Sequence, residues 1–496
     1  MVVGDIAPVK KQPDSDDDGN DMEIELVPSN DTFVIQSYVK EKESFEKMLF
    51  KLNQTGGDYC VLKTATNDFA VWPEVKVQKE YRWMKFTHID PETNQPICKR
   101  FVPRWLDDGT KICYESVIRR PFAPRGPYRE FGKDYVNVWP GFLAEEFEGP
   151  DLSDERIAEL VSPIVDHFKM MFDGEHANVE FVMRWLAHII QRPYVKTGVG
   201  VLLQGEEGVG KDIILHWFGE KLLGPLLFTQ TADINDMFGP HAIGLKNKTF
   251  VVIDEVCSKQ TLPLFEALKN ALTAPFRNFN PKYEQPYRLE CQVNFMFTTN
   301  NKCAIAMGPN DRHWAAFLCK DTKKGDRDYF DNLMRTLNHP DTPRAFFKHL
   351  KENVDLSTIS RLEDVRPLST YYKELRMASL NWPTRFLSLL CHHSEDPDAV
   401  REYESILGMD FLEKYREWLK HVHPDLSTKI TDKSFSSSLD DVVFKCPPKT
   451  TPTTEQLHSN GIARYRKGGR AHYRIHFPSL KDHLERRNMF DYRMDS

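Results

Sequence analysis

Three short apolar runs between residues 198 and 330 constrain the fold of this chain most strongly. They span residues 198–203, 249–253 and 293–297, and each is continuously apolar instead of alternating with polar residues. Strands with this character are typical of parallel sheets whose two faces are both covered by helices. Helical patterns separate the three runs, so the sequence predicts an α/β core over residues 198–335.

A glycine-rich motif follows the first run. It reads GEEGVGKD, fits the pattern G-x-x-x-x-G-K of a phosphate-binding loop, and leads into an apolar helical pattern. Glycines let the backbone wrap around phosphates, with successive N–H groups and a helix N-terminus facing the negative charge. Lys211 would reach the β- and γ-phosphates. The residues expected to contact the nucleotide are Gly205, Glu206, Glu207, Gly208, Val209, Gly210, Lys211 and Asp212.

Acidic residues offer a metal site beside this loop. Asp254 and Glu255 end the second run, 43 and 44 residues after Lys211. We expect Asp254 to support Mg²⁺, and Glu255 to act as the base or water-orienting group for hydrolysis. Asp212 stands where such loops usually place a Ser or Thr hydroxyl on Mg²⁺, and a carboxylate is also a competent ligand. ATP and Mg²⁺ are therefore the expected ligands, although an acidic pair can also simply cap the following helix.

Two further polar residues extend the candidate site. Asn300 follows the third run and could hydrogen-bond the γ-phosphate and the attacking water, with Asn301 as the second choice. Arg312 could stabilise transition-state charge on the nucleotide of a neighbouring subunit. The alternative for Arg312 is a surface ion pair with Asp311.

The order of these motifs within about 100 residues resembles the superfamily 3 helicases of DNA viruses. It is most similar to the helicase part of poxvirus-type and phage primase–helicases. The resemblance covers roughly residues 135–330 and includes the segment WPGF at 139–142 and the segment WLA at 185–187, followed by Gln191 and Pro193. It departs at Asp212 and at His313, where the family often has a second Arg.

The resemblance implies an AAA+-like P-loop NTPase core in a hexameric ring, with ATP between subunits and single-stranded DNA in the pore. A DNA-gripping hairpin is then expected before the third run, with Lys282 on phosphate and Tyr283 or Phe279 stacking on bases. A plain surface loop is the open alternative. A separate primase or polymerase is a candidate partner.

The C-terminal part of the chain is basic. Residues 461–496 contain nine Lys or Arg and four acidic residues, and Gly468-Gly469 between alternating runs predicts a hairpin. With a long helix expected at 403–421 and a shorter one near 434–442, this favours a winged-helix-like module. The side chains expected to contact duplex or forked DNA are Arg464, Arg466, Lys467 and Arg470. A solvated charged face is the alternative.

Composition and the pattern of apolar residues predict how the whole chain divides into domains. Residues 1–30 hold eight acidic residues and two lysines and are predicted to be disordered. Although residues 14–25 fit a calcium-loop pattern, Pro8, Pro13 and Asp21 argue for a solvated tail. The predicted parts are an acidic tail (1–30), an N-terminal α+β domain (31–145), a helical collar (146–197), the ATPase core (198–335), a helical linker (336–400) and a winged-helix-like domain (401–496).

Several classes of protein are disfavoured. No run of about 18 apolar residues occurs, so we expect no membrane span. The polar, acidic N-terminus does not fit a secretory signal, and nine scattered cysteines without C-x-x-C indicate an intracellular protein with reduced thiols. The segments at 421–423 (HVH) and 391–393 (CHH) lack the context of metal sites.

The sequence thus predicts an ATP-dependent DNA helicase of a virus or mobile element, which couples ATP hydrolysis between ring subunits to movement along single-stranded DNA. Three alternatives stay open. One is a P-loop ATPase that packages or pumps DNA without separating strands. Another is a DNA-binding replication adaptor that has lost turnover. A third, more remote, is a small-molecule kinase.

Overall fold

The computed structural model describes residues 30–53, 59–63, 68–282, 286–302, 304–305, 307, 311–393, 403–422, 427, 429–440 and 442–486. The predicted acidic tail therefore lies outside the described residues, except for Asn30. The chain separates into two compact units, Met1–Leu49 with Glu74–Ile112, and Phe50–Pro73 with Cys113–Ser496. The region predicted as one domain at 31–145 is thus shared between both units.

Short helices and strands make up the N-terminal part. In chain order they are α1 (Asn30–Glu46), β1 (Leu49–Leu52), β2 (Tyr59–Lys63), β3 (Asp68–Trp72), α2 (Glu74–Glu80), β4 (Lys85–Ile89), β5 (Pro96–Arg100), α3 (Phe101–Leu106), β6 (Cys113–Tyr114), β7 (Val117–Ile118), β8 (Gly126–Glu130) and β9 (Lys133–Asn137).

The first unit packs around aromatic rings. Phe45 of α1 meets Phe101 and Trp105 of α3 edge-on, with ring centroids 5.2 and 5.0 Å apart. Edge-to-face pairs of this kind stabilise a core beyond the area they bury. The indole nitrogen of Trp105 donates a hydrogen bond to Glu46 (2.9 Å), so its polar atom is satisfied where the ring is buried.

Two small sheets from the N-terminal part belong to the second unit. Their strand orders are β3-β2-β1-β6 and β7-β9-β8. The apolar runs at 59–62 and 69–72 form β2 and β3, which pair antiparallel.

A buried arginine that directly follows β7 ties the β7-β9-β8 sheet to the rest of the unit. The Arg119 guanidinium donates to the Lys248 carbonyl (3.1 Å) and the Thr249 hydroxyl (2.8 Å), and lies 5.1 Å from the ring centroid of Trp139. Burial lowers the pKa of Arg119 to about 10, so it stays charged at neutral pH. Its desolvation is offset by these hydrogen bonds and by the aromatic face.

Two long helices form the region predicted as a collar, α4 (Asp154–Met171) and α5 (His176–Gln191). Ser153 caps α4 by accepting a hydrogen bond from the Arg156 N–H (3.3 Å), which satisfies one of the otherwise unpaired first-turn donors. Apolar residues at helical spacing, such as Ile157, Leu160 and Val161, are buried, and the Trp185 indole donates to the Val199 carbonyl (2.8 Å). The WPGF segment packs in the same core, with the Trp139 and Phe142 ring centroids 5.3 Å apart.

The predicted α/β core contains these elements: β10 (Gly200–Gln204), α6 (Ile213–Trp217), β11 (Phe228–Thr231), α7 (Asn235–Phe238), β12 (Phe250–Ile253), α8 (Ser258–Thr261), α9 (Phe265–Thr273), β13 (Phe276–Phe279), β14 (Tyr287–Glu290), β15 (Asn294–Thr299) and β16 (Trp314–Leu318). A π-helical turn (Phe218–Leu223) continues α6.

Five of these strands form one sheet within the described residues, in the order β11-β12-β15-β10-β16. All neighbouring pairs are parallel. Every residue of β10, β12 and β15 is buried. The predicted parallel sheet with continuously apolar strands is therefore confirmed.

The elements after the sheet are α10 (Arg327–Leu337), α11 (Thr342–Lys348), α12 (Leu362–Val365), α13 (Thr370–Ser379), α14 (Trp382–His393), β17 (Tyr403–Leu407), α15 (Gly408–Val422), α16 (Asp432–Ser438), β18 (Phe444–Lys445), α17 (Thr454–Asn460), β19 (Ile462–Lys467), β20 (Arg470–His476) and α18 (Phe477–Arg486).

The C-terminal strands form a sheet in the order β17-β20-β19-β18, and the hairpin predicted at Gly468-Gly469 joins β19 to β20. The helix predicted at 403–421 is wrong in its first turn, because residues 403–407 form β17, which pairs antiparallel with β20. Tertiary pairing here overrides the helical continuation. Helix α14, grouped by sequence with the linker, contributes Phe386 and Leu387 to the core of this sheet.

None of the helices in the described part of the chain combines the length and apolar character that a membrane crossing requires.

Replacing Arg119 with Ala is expected to destabilise the second unit by about 3 kcal/mol, because the Lys248 carbonyl and the Thr249 hydroxyl would stay buried without their donor. Arg129→Ala is the control, since Arg129 is 73% exposed and faces Asp134 at 3.8 Å. Thermal denaturation, monitored by limited proteolysis, measures the change in stability of the second unit. Equal melting of the two variants would contradict the anchoring role of Arg119.

Candidate functional site

The parallel sheet brings three separate motifs to one edge. In the register of β10 and β15, Gln204 lies opposite Thr299, and in that of β12 and β15, Ile253 lies opposite Phe297. The segments that follow these strands therefore leave the sheet side by side. The crevice outside the carboxyl ends of parallel strands is where open α/β sheets bind ligands.

The glycine-rich loop is fixed by its backbone and by close contacts. Gly205 N–H donates to the Thr299 carbonyl (3.0 Å), and the buried Val209 side chain holds the turn down. A Cβ at Gly205 would lie 2.9 Å from Cys319, which leaves room for glycine alone. Gly208 and Gly210 have φ of 81° and 88°, left-handed values that other residues adopt at a cost.

Lysines surround the loop. Lys211 Nζ donates to the Glu206 carbonyl within the loop (3.3 Å). Lys324, from the segment after β16, pairs with the Glu206 carboxylate at 2.6 Å. The loop therefore carries two cationic groups at its mouth, and both are held by Glu206.

A cluster of acids lies behind the loop. The Thr298 hydroxyl donates to Asp254 (3.0 Å), and His216 Nε2 lies 3.6 Å from the other oxygen of Asp254. One carboxylate oxygen of Asp212 is buried without a hydrogen-bond partner. Asp212 is the N-cap residue of α6 and His216 lies four residues later in that helix, so both lie on one face of it.

The protonation of this cluster reflects its burial. Burial raises the pKa of the Asp212 carboxyl, the nearby charge of Lys211 lowers it, and the negative Asp254 raises it, with a net increase. Burial alone would lower the pKa of His216, but the charges of Asp254 and Asp212 outweigh it and the net shift is upward. Burial is thus the main cause of the raised pKa of Asp212, while the two carboxylates favour the charged form of His216.

The donor set fits Mg²⁺. Carboxylate and hydroxyl oxygens are hard ligands, and Mg²⁺ usually takes only one or two carboxylates together with phosphates and waters. The unpartnered Asp212 oxygen is an available ligand atom. The described residues contain no group of three His, Cys, Asp or Glu side chains that would form a full protein cage, which Mg²⁺ does not need.

Glu255 adopts a strained conformation beside this cluster. Its φ is 55°, uncommon for a residue with a Cβ, and its side chain is exposed at the carboxyl edge of the sheet. Strained backbone is often found at functional sites, where the surrounding structure holds it. The conformation arises because Asp254 N–H pairs with the Thr231 carbonyl (2.9 Å) and Val256 N–H pairs with the Thr298 carbonyl (3.1 Å).

The two asparagines at the tip of β15 differ in freedom. Asn301 is tied back, because its side-chain amide donates to the Val256 carbonyl (3.3 Å). Asn300 is exposed, and its side chain makes no hydrogen bond to the described residues. Asn300 is therefore the one available for a ligand at this edge.

Arg312 lies at the opposite edge of the sheet. It precedes β16, and the next residue, His313, accepts a hydrogen bond from Gly200 N–H at the start of β10 (2.8 Å). The five residues of β10 separate this edge from the glycine-rich loop by about 16 Å. Arg312 therefore does not meet the loop of its own chain.

The alternative prediction for Arg312, an ion pair with Asp311, is wrong. Asp311 accepts instead from the backbone N–H of His313 (2.8 Å), while Arg312, 62% exposed, faces Glu363 at 3.6 Å. Glu363 also pairs with Arg361. A cleft of about 790 Å³ opens here, at the opposite end of the strands from the acidic cluster.

An antiparallel pair of strands, β13 and β14, lies where the sequence predicts a hairpin, and its role in gripping DNA stays a prediction. Lys282 is exposed in its connection, while Tyr283 lies outside the described residues. The expectation that Phe279 could stack on a base is wrong, because Phe279 is buried against Tyr287 with ring centroids 5.9 Å apart.

The C-terminal hairpin presents most of its basic side chains to solvent. Arg466, Lys467 and Arg470 are exposed around the Gly468-Gly469 turn, in which both φ values are positive. Such a turn is favoured in two-residue hairpins. Arg464 is half-buried and lies 5.9 Å from the Tyr473 ring centroid, so it is less accessible than the other three.

Sequence reasoning missed several residues that contact the candidate site. Two of these residues left a local signal in the sequence, and the third did not. His216 could have been found from its i+4 spacing to Asp212, and Thr298 from the polar tip of the third run. His167, whose Nε2 lies 3.0 Å from the Gly210 carbonyl, comes from a distant helix with no local signal.

Comparison with known proteins finds one family model and similar solved structures. A family model described as "Family of unknown function (DUF5906)" matches residues 203–313, which run from β10 through the loop to His313. No curated protein matches the chain.

Among the solved structures that resemble the chain are two of the same protein region. "The apo structure of NrS-1 C terminal region (305-718)" has a TM-score of 0.51 and 16% identity, covering 82% of this chain and 87% of that one. "The A form apo structure of NrS-1 C terminal region-CTR" has a TM-score of 0.51 and 14% identity, covering 88% and 98%. At these identities the likeness concerns the fold, a mixed α/β architecture with a five-stranded parallel sheet.

Gly210 and Gly208 offer a matched test of the loop. Gly210→Ala is expected to disturb the loop strongly, because a Cβ there would lie 2.7 Å from Phe330 and 2.8 Å from His167. Gly208→Ala has a similar φ but open space, so it should cost only about 1 kcal/mol of strain. Melting temperature and amide exchange of the loop compare the two. A Gly208 variant as damaged as the Gly210 variant would refute the steric argument.

Proposed function

We propose that this chain is an ATP-dependent DNA helicase that acts in replication of a virus or mobile element. The observation that carries the proposal is the convergence of the glycine-rich loop, the Asp212–Asp254–Thr298 cluster and the exposed Glu255 at one edge of a parallel sheet. Loop amides and a lysine suit polyphosphate, while the acids suit a hard divalent cation. The similarity to the NrS-1 C-terminal region supports an α/β core of this kind.

In this function each residue has a separate role. The loop amides and Lys211 bind and orient the phosphates of ATP. Asp212 and Asp254 would hold Mg²⁺, which when bound neutralises charge on the phosphates. Glu255 orients the attacking water and accepts its proton, and Asn300 hydrogen-bonds the same water or the terminal phosphate.

A second copy of the chain would complete the site. Arg312 is exposed at the edge opposite the loop, so it suits the nucleotide of an adjacent subunit. A ring in which each subunit presents one edge to its neighbour, such as a hexamer, brings the two edges together. The arginine would stabilise charge that develops on the phosphates.

Exposed basic side chains offer contacts to DNA. Lys282 lies in the β13–β14 connection, and Arg466, Lys467 and Arg470 lie at the C-terminal hairpin. Phosphate contacts of this type are independent of sequence and depend on salt. Movement of the first hairpin with the state of the nucleotide would drive translocation along a single strand, and the second hairpin would hold duplex or forked DNA.

One observation favours a second candidate, a DNA-binding replication adaptor without turnover. Asp212 places a buried carboxylate where a triphosphate would add further negative charge, and Lys211 is turned toward Glu206. A chain of this kind would bind DNA without hydrolysing ATP. An ATPase that pumps DNA without separating strands is distinguished instead by strand displacement on a forked substrate.

Lys211→Ala is expected to lower kcat/KM for ATP by at least about a hundredfold, because it removes a cation from the phosphates. Glu255→Gln should lower kcat by about a hundredfold and change nucleotide affinity little, because it removes the base alone. ATPase assays with forked DNA, scored also for strand displacement, measure both. Glu266→Gln, whose side chain is 85% exposed on α9, is the control. Wild-type protein without ATPase activity would favour the adaptor.

Mixing two inactive variants tests the shared site. Arg312→Ala keeps its own loop and Lys211→Ala keeps its own arginine, so a mixed ring contains active interfaces at about one in four. We expect each variant alone to be inactive and an equimolar mixture to regain part of the ATPase activity. Absence of recovery, with mixed oligomers verified by mass measurement, would contradict an arginine acting across subunits.

A further inference from the structure

A buried histidine outside the candidate site makes a hydrogen bond to the glycine-rich loop. His167, in helix α4, is fully buried, and its Nε2 lies 3.0 Å from the Gly210 carbonyl oxygen. Its Nδ1 lies 2.9 Å from the hydroxyl of Tyr329 in α10. The imidazole therefore links the loop to two helices distant in sequence.

The chemistry of the partners fixes the tautomer. A carbonyl oxygen can only accept, so Nε2 carries the proton and donates it to Gly210. In the neutral ring Nδ1 then accepts from the Tyr329 hydroxyl. Burial lowers the pKa of His167, more than the Gly210 hydrogen bond raises it, so the neutral ring is the relevant form.

The hydrogen bond to Gly210 sets the direction of the next amide. The peptide unit is planar and trans, so its C=O and N–H point in opposite directions. His167 and the Ile213 N–H (3.3 Å) both draw the Gly210 carbonyl toward the helices. The Lys211 N–H of the same peptide consequently points the other way, away from His167.

We propose that His167 is a positioning residue for nucleotide, which holds the Gly210–Lys211 peptide so that the Lys211 amide faces the phosphates. The inference rests on the proposed function and deepens it. It also explains the tight packing at Gly210, where a Cβ would meet the His167 ring at 2.8 Å. A side chain at this position would separate the histidine from the carbonyl.

The arrangement couples the loop to the collar helix. Rotation of the Gly210–Lys211 peptide would break the contact with His167, and movement of α4 or α10 would free the peptide. The His167 and Tyr329 ring centroids lie 5.9 Å apart in a stacked arrangement, so the imidazole contacts α10 as well as the loop. Occupancy of the loop is thereby linked to the packing of these helices.

The decisive experiment compares His167→Ala with His188→Ala. His188→Ala is the control, because it also removes a buried imidazole. His188 lies in the neighbouring helix α5, and burial lowers its pKa to about 4. In nucleotide-free protein, hydrogen–deuterium exchange of residues 205–212 should accelerate by about tenfold in the His167 variant and stay unchanged in the His188 variant. His167→Gln, which retains a donor, should restore part of the protection.

Affinity for a fluorescent ATP analogue gives a second readout. We expect the dissociation constant to rise by about tenfold in His167→Ala, with a smaller rise in Tyr329→Phe, because that variant loses only the group that fixes the ring. Unchanged loop exchange in His167→Ala, or an equal effect in His188→Ala, would overturn the proposal. If wild-type protein bound no nucleotide, the proposed function would fall, while the exchange data would still decide whether His167 holds the peptide.

Discussion

The parallel pairing of β10 with β15 is the interaction on which the candidate site depends. Opposing Gln204 with Thr299 lets the Gly205 amide bond the Thr299 carbonyl at 3.0 Å, so the loop starts at a fixed height above the sheet. The same strand carries Thr298, whose hydroxyl reaches Asp254 on the other neighbouring strand. A shift of one residue in this register would turn Thr298 to the other face and separate the loop from its acids.

The side chains at the carboxyl ends of the parallel strands differ in chemistry from those at the amino ends. The two opposite ends of the sheet are therefore distinct surfaces. The carboxyl edge holds the loop amides and the acids, while the amino edge holds Arg312 with Glu363 and Arg361. Glu363 is only 8% exposed, so it holds Arg312 from the protein side and leaves much of the guanidinium toward solvent. In the proposed function these two surfaces would meet head to tail between neighbouring subunits, a type of contact that closes into a ring when the rotation allows it.

The sequence predicts those parts of the structure that arise from local patterns. Continuous apolar runs identified β10, β12 and β15, because strands buried on both faces have no polar side, and the Gly-Gly turn identified the β19–β20 hairpin. The strand at 403–407 escaped prediction, since its pairing with β20 joins residues about 70 apart. His167 escaped for the same reason, because a contact between α4 and Gly210 leaves no periodic signal in either segment. The roles assigned to the site residues stay predictions.

The position of Asp212 has an electrostatic consequence beyond its place in the motif. A Ser or Thr there would be a neutral ligand, whereas Asp212 adds a second carboxylate beside Asp254, and their repulsion contributes to the raised pKa of Asp212. His216, drawn to Asp254 at 3.6 Å, compensates part of this charge from the helix side. In the proposed function these carboxylates would attract a divalent cation and disfavour a triphosphate that arrives without one. The cluster would then favour nucleotide that arrives with its metal, and His216 would take a compensating role that a neutral hydroxyl would have made unnecessary.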